Sequence, residues 1–218
     1  MKRAAGFTLL EVLASLVLLA LLLVGVYSGI RTATHSVRSG TLAIERIDQI
    51  RSAQQFLRRE LAQSLTQPIG QTDHGEPVYF IGDAHEMRYV APLPGYLGKR
   101  GPQLQRLQLV DDGHDGFRLE VSLATLPPDG KPPQPLGEPQ VLLDHIKAGS
   151  FSYRGVDGKG GVVPWSPTWA DGRLLPQLVR ISLQTQGQAA WPSMDVPLRV
   201  NPAQSLLQRS LIRGGNTP

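Results

Sequence analysis

Gly6-Phe7-Thr8-Leu9-Leu10-Glu11 opens an apolar run that continues to Val26, and its reading decides the fold. Lys2 and Arg3 precede it. Of the 20 residues from Phe7 to Val26, 16 are apolar. At about 1.5 Å per residue, a helix of that length crosses the ~30 Å hydrocarbon core of a bilayer. Glu11 is the only charge between Arg3 and Arg31. A lone carboxylate on a membrane helix costs about 2.5–3.5 kcal/mol at the centre and less toward an end, so it needs compensation and marks a functional position. A plain signal anchor is the simpler alternative. A secretory signal fits less well, because its apolar region is shorter and a small-x-small cleavage site follows it.

The rest of the chain is long enough for one sizeable core. With 41% apolar residues and a mean hydropathy near zero, it suits a soluble domain on one anchor. The net charge of +4 falls to +2 if Lys2 and Arg3 leave with a leader. No Lys/Arg block with interleaved aromatics supports nucleic-acid binding. There is no cysteine, which excludes disulfides, Cys-ligated zinc and a Cys nucleophile. Arg31 and Arg38 beyond the apolar run nearly balance Lys2 and Arg3, so basic residues alone leave the orientation open.

No proline occurs before Pro68, and Ile47, Ile50, Leu57, Leu61 and Leu65 recur at helical spacing. The spacing predicts a helix that continues past the apolar run and packs on a sheet until Pro68 and Gly70 stop it. Gly25, Gly29 and Gly40 each cost about 1 kcal/mol relative to alanine, which predicts a bend or local melting between them. Beyond Pro68 the chain is β-rich. Gly116–Leu123 and Leu178–Thr185 alternate strictly, and Met194, Val196, Leu198 and Val200 form a third run. Pro197 removes a ladder donor and predicts an edge strand there. Weaker strands are expected at Val78–Ile81, Met87–Ala91, Leu104–Val110, Val141–Leu143 and Phe151–Arg154. Short strands between Gly/Asp turns predict antiparallel pairing. Pro127–Pro139 carries six prolines and reads as a loop, extended in part. The expected fold class is α+β, a long N-terminal helix on antiparallel sheet. The expected segments are 1–6 leader, 7–30 membrane helix, 31–67 amphipathic helix, 68–202 β-rich domain and 203–218 flexible tail.

Sites for chemistry are sparse. Asp111-Asp112-Gly113-His114-Asp115-Gly116 offers carboxylate oxygens, but its spacing is not that of an EF-hand loop. Asp111, Asp112 and Asp115 are therefore weak metal candidates, and a hairpin turn is the expected reading. The five histidines are scattered, and none forms a zinc pair or joins a G-x-S-x-G motif. No catalytic residue and no cofactor are expected. Trp165 and Trp169 sit before the strongest late strand. Tryptophan suits both sheet-end cores and interface centres, so both readings stay open for them.

The basic leader, the Gly6–Phe7 junction, Thr8-Leu9-Leu10-Glu11 and the apolar helix together resemble the class III signal of type IV pilins and type II secretion pseudopilins. The resemblance implies cleavage by prepilin peptidase between Gly6 and Phe7, N-methylation of Phe7, and an assembly role for Glu11. Gln55–Gln63 also looks like the amphipathic Leu-x-Arg-Asp/Glu-Leu-x-Gln stretch of J-type minor pseudopilins. Phe151–Arg154, Trp165-x-x-x-Trp169 and Leu175–Leu183 resemble that family's later run of strand, Trp-bearing turn and Leu-Pro-x-x-Val-Arg strand.

Membership of that family implies a pilin-like fold and a single-pass inner-membrane protein, with a cytoplasmic N-terminus and a periplasmic domain. It implies I-type and K-type partners in a heterotrimeric pseudopilus tip. It also implies contact with the H-type minor pseudopilin and the major pseudopilin, and a part in exporting folded proteins across the outer membrane. The rival readings are a W-like minor pilin of a type IV pilus and, more remotely, a single-span periplasmic enzyme or binding module.

Overall fold

The computed structural model describes residues 8–93, 101–127, 131–158, 160–187 and 189–198, with the side chains of 32–39 and 42 outside the description. Gly6, Phe7 and the 203–218 tail lie outside the described residues. The elements are α1 (Leu9–Ala62), β1 (Gly70–Gln71), β2 (Pro77–Val78), β3 (Ile81–Gly82), β4 (Glu86–Pro92), β5 (Pro102–Asp111), β6 (Phe117–Thr125), β7 (Gln134–Pro135), β8 (Gln140–Val156), β9 (Val162–Ser166), β10 (Leu178–Thr185) and β11 (Met194–Pro197). The α+β expectation therefore holds: an N-terminal helix and a large antiparallel sheet. The chain forms two compact units, 1–46 and 47–218.

In the first unit the apolar side chains from Leu9 to Ile30 are exposed. The stretch Leu9–Arg31 is long and apolar enough to cross a membrane. The chain stays helical through Gly25, Gly29 and Gly40, where a bend or local melting was expected, so the local melting is not found. Each glycine costs about 1 kcal/mol, whereas an unpaired backbone group in hydrocarbon costs several. For Gly25 and Gly29, within the apolar stretch, continued hydrogen bonding wins.

In the second unit α1 buries a stripe of Ile50, Ala53, Leu57 and Leu61, spaced three and four apart. Ile47, expected on that stripe, is 40% exposed. The stripe joins Met87, Tyr89, Leu107, Leu119 and Val121 in one core. Burying a leucine fully contributes about 1.5–3 kcal/mol. The helix ends at Ala62, before the proline expected to stop it. A tertiary bond competes: Leu65 N–H donates to Val90 O at 2.7 Å, drawing the chain onto β4.

The main sheet runs in the order β11-β10-β8-β6-β5-β4-β3, with β7 on β6 and β9 on β8. All its pairings are antiparallel. Strand β8 corrects the expected pair of short strands, because Val141–Leu143 and Phe151–Arg154 are halves of one 17-residue strand. Its first half pairs with β6 up to Ile146, and its second half pairs with β10 from Ile146 to Arg154. His145 sits at the changeover with φ +47°, a left-handed conformation that a non-glycine residue rarely adopts. Register shifts on both sides show that β8 bends where it changes partner. At Gly149 a Cβ would lie 2.7 Å from Leu183 Cδ2 and 3.0 Å from Leu109 Cδ1, so glycine lets these two leucine ends pack close to the bend.

Strand β11 ends the sheet, as Pro197 predicted. Leu198 N–H donates to Gln177 O at 3.0 Å. By alternation, Pro197 then places its missing donor on the open side, where it costs no ladder bond and discourages strand addition. The Pro127–Pro139 segment is more ordered than a loop in part. Gln134 and Pro135 pair with Thr125 and Ala124, and Leu136 N–H donates to Leu123 O at 2.8 Å.

Candidate assembly sites

Helix α1 begins after Thr8. The Thr8 carbonyl accepts the amides of Glu11 and Val12, and Thr8 Oγ1 lies 3.3 Å from Glu11 N. Thr8 is thus an N-cap, and Glu11 occupies the capping-box position three residues on. There the carboxylate meets the positive end of the helix dipole, worth about 0.3–1 kcal/mol. The side chain is exposed in this unit. Glu11 therefore presents an exposed carboxylate on the first turn of an apolar helix.

The two tryptophans separate. Trp169 is core: it is 5% exposed, and its Nε1 donates to Leu174 O at 2.8 Å. Gly155 gives it room, since a Cβ there would approach Trp169 Cη2 to 2.9 Å. Trp165 is half-buried, and the Arg180 guanidinium lies 4.1 Å from its ring centroid. Arg180 also grips Asp195 with two hydrogen bonds of 2.7 and 2.8 Å. The bond from Arg180 holds the Asp195 carboxyl below the usual carboxylate range. Trp165 on β9, Arg180 on β10 and Asp195 on β11 form a surface patch linked by these contacts.

The acidic segment is the β5–β6 turn. Asp111 Oδ1 accepts Gly113 N–H at 2.7 Å, and Asp112 Oδ1 accepts His114 N–H at 2.7 Å and Gly116 N–H at 3.1 Å. Asp115 supports the turn through its positive φ of 59°. Among the described residues no three His, Cys, Asp or Glu side chains gather to hold a metal ion.

A further constellation carried a signal in the sequence that was not used. Glu60 is fully buried, on the stripe of Leu57 and Leu61. Its Oε2 accepts Gln105 Nε2 at 2.8 Å, and Gln105 Oε1 accepts the Tyr89 hydroxyl at 3.1 Å. Burial, with Glu60 nearby, pushes the Tyr89 hydroxyl far up and keeps it a neutral donor. Helix and sheet are joined through a polar chain inside an apolar core. In the sequence the only sign is a carboxylate next to Leu61, and Arg58 and Arg59 beside it hide that sign.

Two family models match the chain. A prokaryotic N-terminal methylation motif matches residues 1–27, and type II secretion system (T2SS), protein J, matches residues 29–194. The chain belongs to the type II secretion system protein J family. The chain is also similar to the type II secretion system protein J of Xanthomonas campestris pv. campestris. The two are 36% identical over 199 residues, covering 90% of this chain and 93% of the relative. Membership of the protein J family supports the minor-pseudopilin role and leaves the W-like pilin reading behind. Within the Gln55–Gln63 stretch, Leu57 and Leu61 supply the core stripe, and Glu60 ties it to β5. The methylation motif together with the apolar helix indicates a single-pass membrane anchor.

Proposed function

We propose that the protein is the J-type subunit of a pseudopilus tip, where it primes pseudopilus assembly and supports export of folded proteins across the outer membrane. Membership of the protein J family is the observation that carries this reading. Prepilin peptidase cuts between Gly6 and Phe7, and the new N-terminus is methylated. The apolar helix then holds the chain in the inner membrane, with its N-terminus cytoplasmic and its β-rich domain periplasmic. I-type and K-type minor pseudopilins complete the tip. The H-type and the major pseudopilin connect the tip to the shaft.

Glu11 acts in assembly through its charge. Its exposed position on the first turn suits a pair with the Phe7 ammonium of a neighbouring subunit. In low dielectric such a pair holds only with good geometry, and removing one partner leaves the other charge stranded. The role is structural rather than catalytic.

Export of a folded reporter by cells lacking the protein tests the role. The wild-type chain restores export on this reading, and Glu11→Val, although processed and stable, does not. Full export without the chain contradicts the role.

A further inference from the structure

The outward face of β4, β5 and β6 holds a groove of about 450 Å³. Arg88, Arg106 and Ser122 stand side by side across the three strands and line it. Leu104 and Ala124, the neighbouring pair on β5 and β6, add apolar surface. Pro133, Pro135, Gly137 and Pro139 form its wall. Pro133 and Pro135 lie two residues apart along the β7 segment, and the chain then bends at Gly137, with φ +77°, before Pro139. The pairing of β7 with β6 holds that wall in place. Prolines and paired backbone lose little freedom on binding, so the groove is preorganised.

Its charge is unbalanced. Arg88 Nε and Arg106 Nη2 each donate to the single carboxylate of Glu86, at 2.5 Å. Burial opposes the charge of Glu86, but the bonds from Arg106 and Arg88 outweigh it and hold the carboxyl below its usual value. Two guanidiniums on one carboxylate leave one positive charge at the groove. The Arg88 and Arg106 side chains stay 43% and 42% exposed, and a carboxylate is the group that best satisfies a guanidinium.

We propose that this groove receives an extended acidic segment of a neighbouring subunit in the same assembly. Its carboxylate would pair with Arg106 and Arg88, and an adjacent apolar side chain would pack on Leu104, Ala124 and the proline wall. The size of the groove favours a neighbouring subunit over a freely diffusing exported protein. A few residues in about 450 Å³ bury far less than the ~1,200 Å² of a stable free complex. A segment already held beside the groove binds at millimolar effective concentration, where weak contacts suffice. The inference rests on the assembly role proposed above.

A photo-crosslinking side chain at Ser122 of the full-length protein, produced in membranes with the other pseudopilins, tests it. The expected result is one adduct to another pseudopilin, mapped to a peptide containing Asp or Glu. Arg106→Gln should lower the yield about tenfold or more, the loss of one charged hydrogen bond. Arg106→Lys should restore part of it. Ala124→Trp, which fills the groove and keeps both arginines, should lower it as well. An adduct insensitive to both changes overturns the proposal, as does an adduct to an exported protein alone. Co-purification with the other pseudopilins but no adduct overturns the groove and leaves the assembly role standing. Absence of any association overturns both.

Discussion

Glu60 on α1 and Gln105 on β5 share a 2.8 Å hydrogen bond in the dry interior between helix and sheet. The other Glu60 oxygen lies 3.6 Å from Arg59 Nε, beyond hydrogen-bond distance. A buried carboxylate is a poor source of net stability, because desolvation offsets most of what its bonds contribute. Its effect is directional. Sliding the helix along the sheet would separate Glu60 from Gln105, whereas leucine-on-leucine contacts tolerate sliding.

Removing Glu60 alone should therefore cost more than removing the whole polar chain. Glu60→Leu leaves the Gln105 amide buried without an acceptor, a loss of about 1–3 kcal/mol. Adding Gln105→Leu and Tyr89→Phe should recover much of that. Thermal unfolding of the three proteins in detergent measures the difference. Equal stability of Glu60→Leu, wild type and the triple variant would contradict a cost for the stranded Gln105 amide.

Trp169 and Trp165 should respond differently to alanine. Trp169→Ala empties a core site and should destabilise by about 3–5 kcal/mol. Trp165→Ala removes a surface cation–π contact and should change the melting temperature little. A loss of association with other pseudopilins in Trp165→Ala, with stability kept, would assign the patch to a partner. Unchanged association would leave it as surface.

Gly82 meets Tyr153 closely. A Cβ there would lie 2.5 Å from Tyr153 Cζ and 2.7 Å from its hydroxyl, which donates to Asp83 O at 2.7 Å. Gly82→Ala must displace the ring and should destabilise by about 1–3 kcal/mol. Wild-type stability in this variant would show that the ring moves freely.

Three carboxylates are held below their ordinary pKa by arginine partners. Arg180 lowers Asp195, and Arg173 lowers Asp171. Hydrogen bonds from Arg106 and Arg88 lower Glu86 against the opposing effect of burial. Each folded pKa lies below its unfolded value of about 4. The stabilisation is complete above that value and is lost as pH falls through the folded pKa. Melting temperature should hold steady on this account down to about pH 5 and fall below pH 4. Arg180→Gln should flatten part of the fall. A decline beginning near pH 6.5 would point instead to histidine.

Much of this structure was legible in the sequence because burial repeats with a period. The alternation of Val179, Ile181 and Leu183 gave β10, and Pro197 gave the edge at β11. The join inside β8 was not legible. Lys147-Ala148-Gly149-Ser150 has no β-branched or aromatic residue, and pairing with β10 makes it strand. The helix end escaped for a similar reason, since the Leu65–Val90 bond is tertiary. Glu11 was readable because a single charge interrupts an apolar run. Glu60 was not, because Arg58 and Arg59 beside it make it look like part of a solvated face. The arginine pair of the groove is non-local too: Arg88 and Arg106 meet only through the β4–β5 register.

The most direct test of the tip role is the mass of the intact complex purified from membranes that co-produce the full-length chain with I-type and K-type pseudopilins. The account predicts one species containing all three subunits, with this chain beginning at N-methylated Phe7. Recovery of this chain apart from both partners, or with an N-terminus still at Met1, would contradict it.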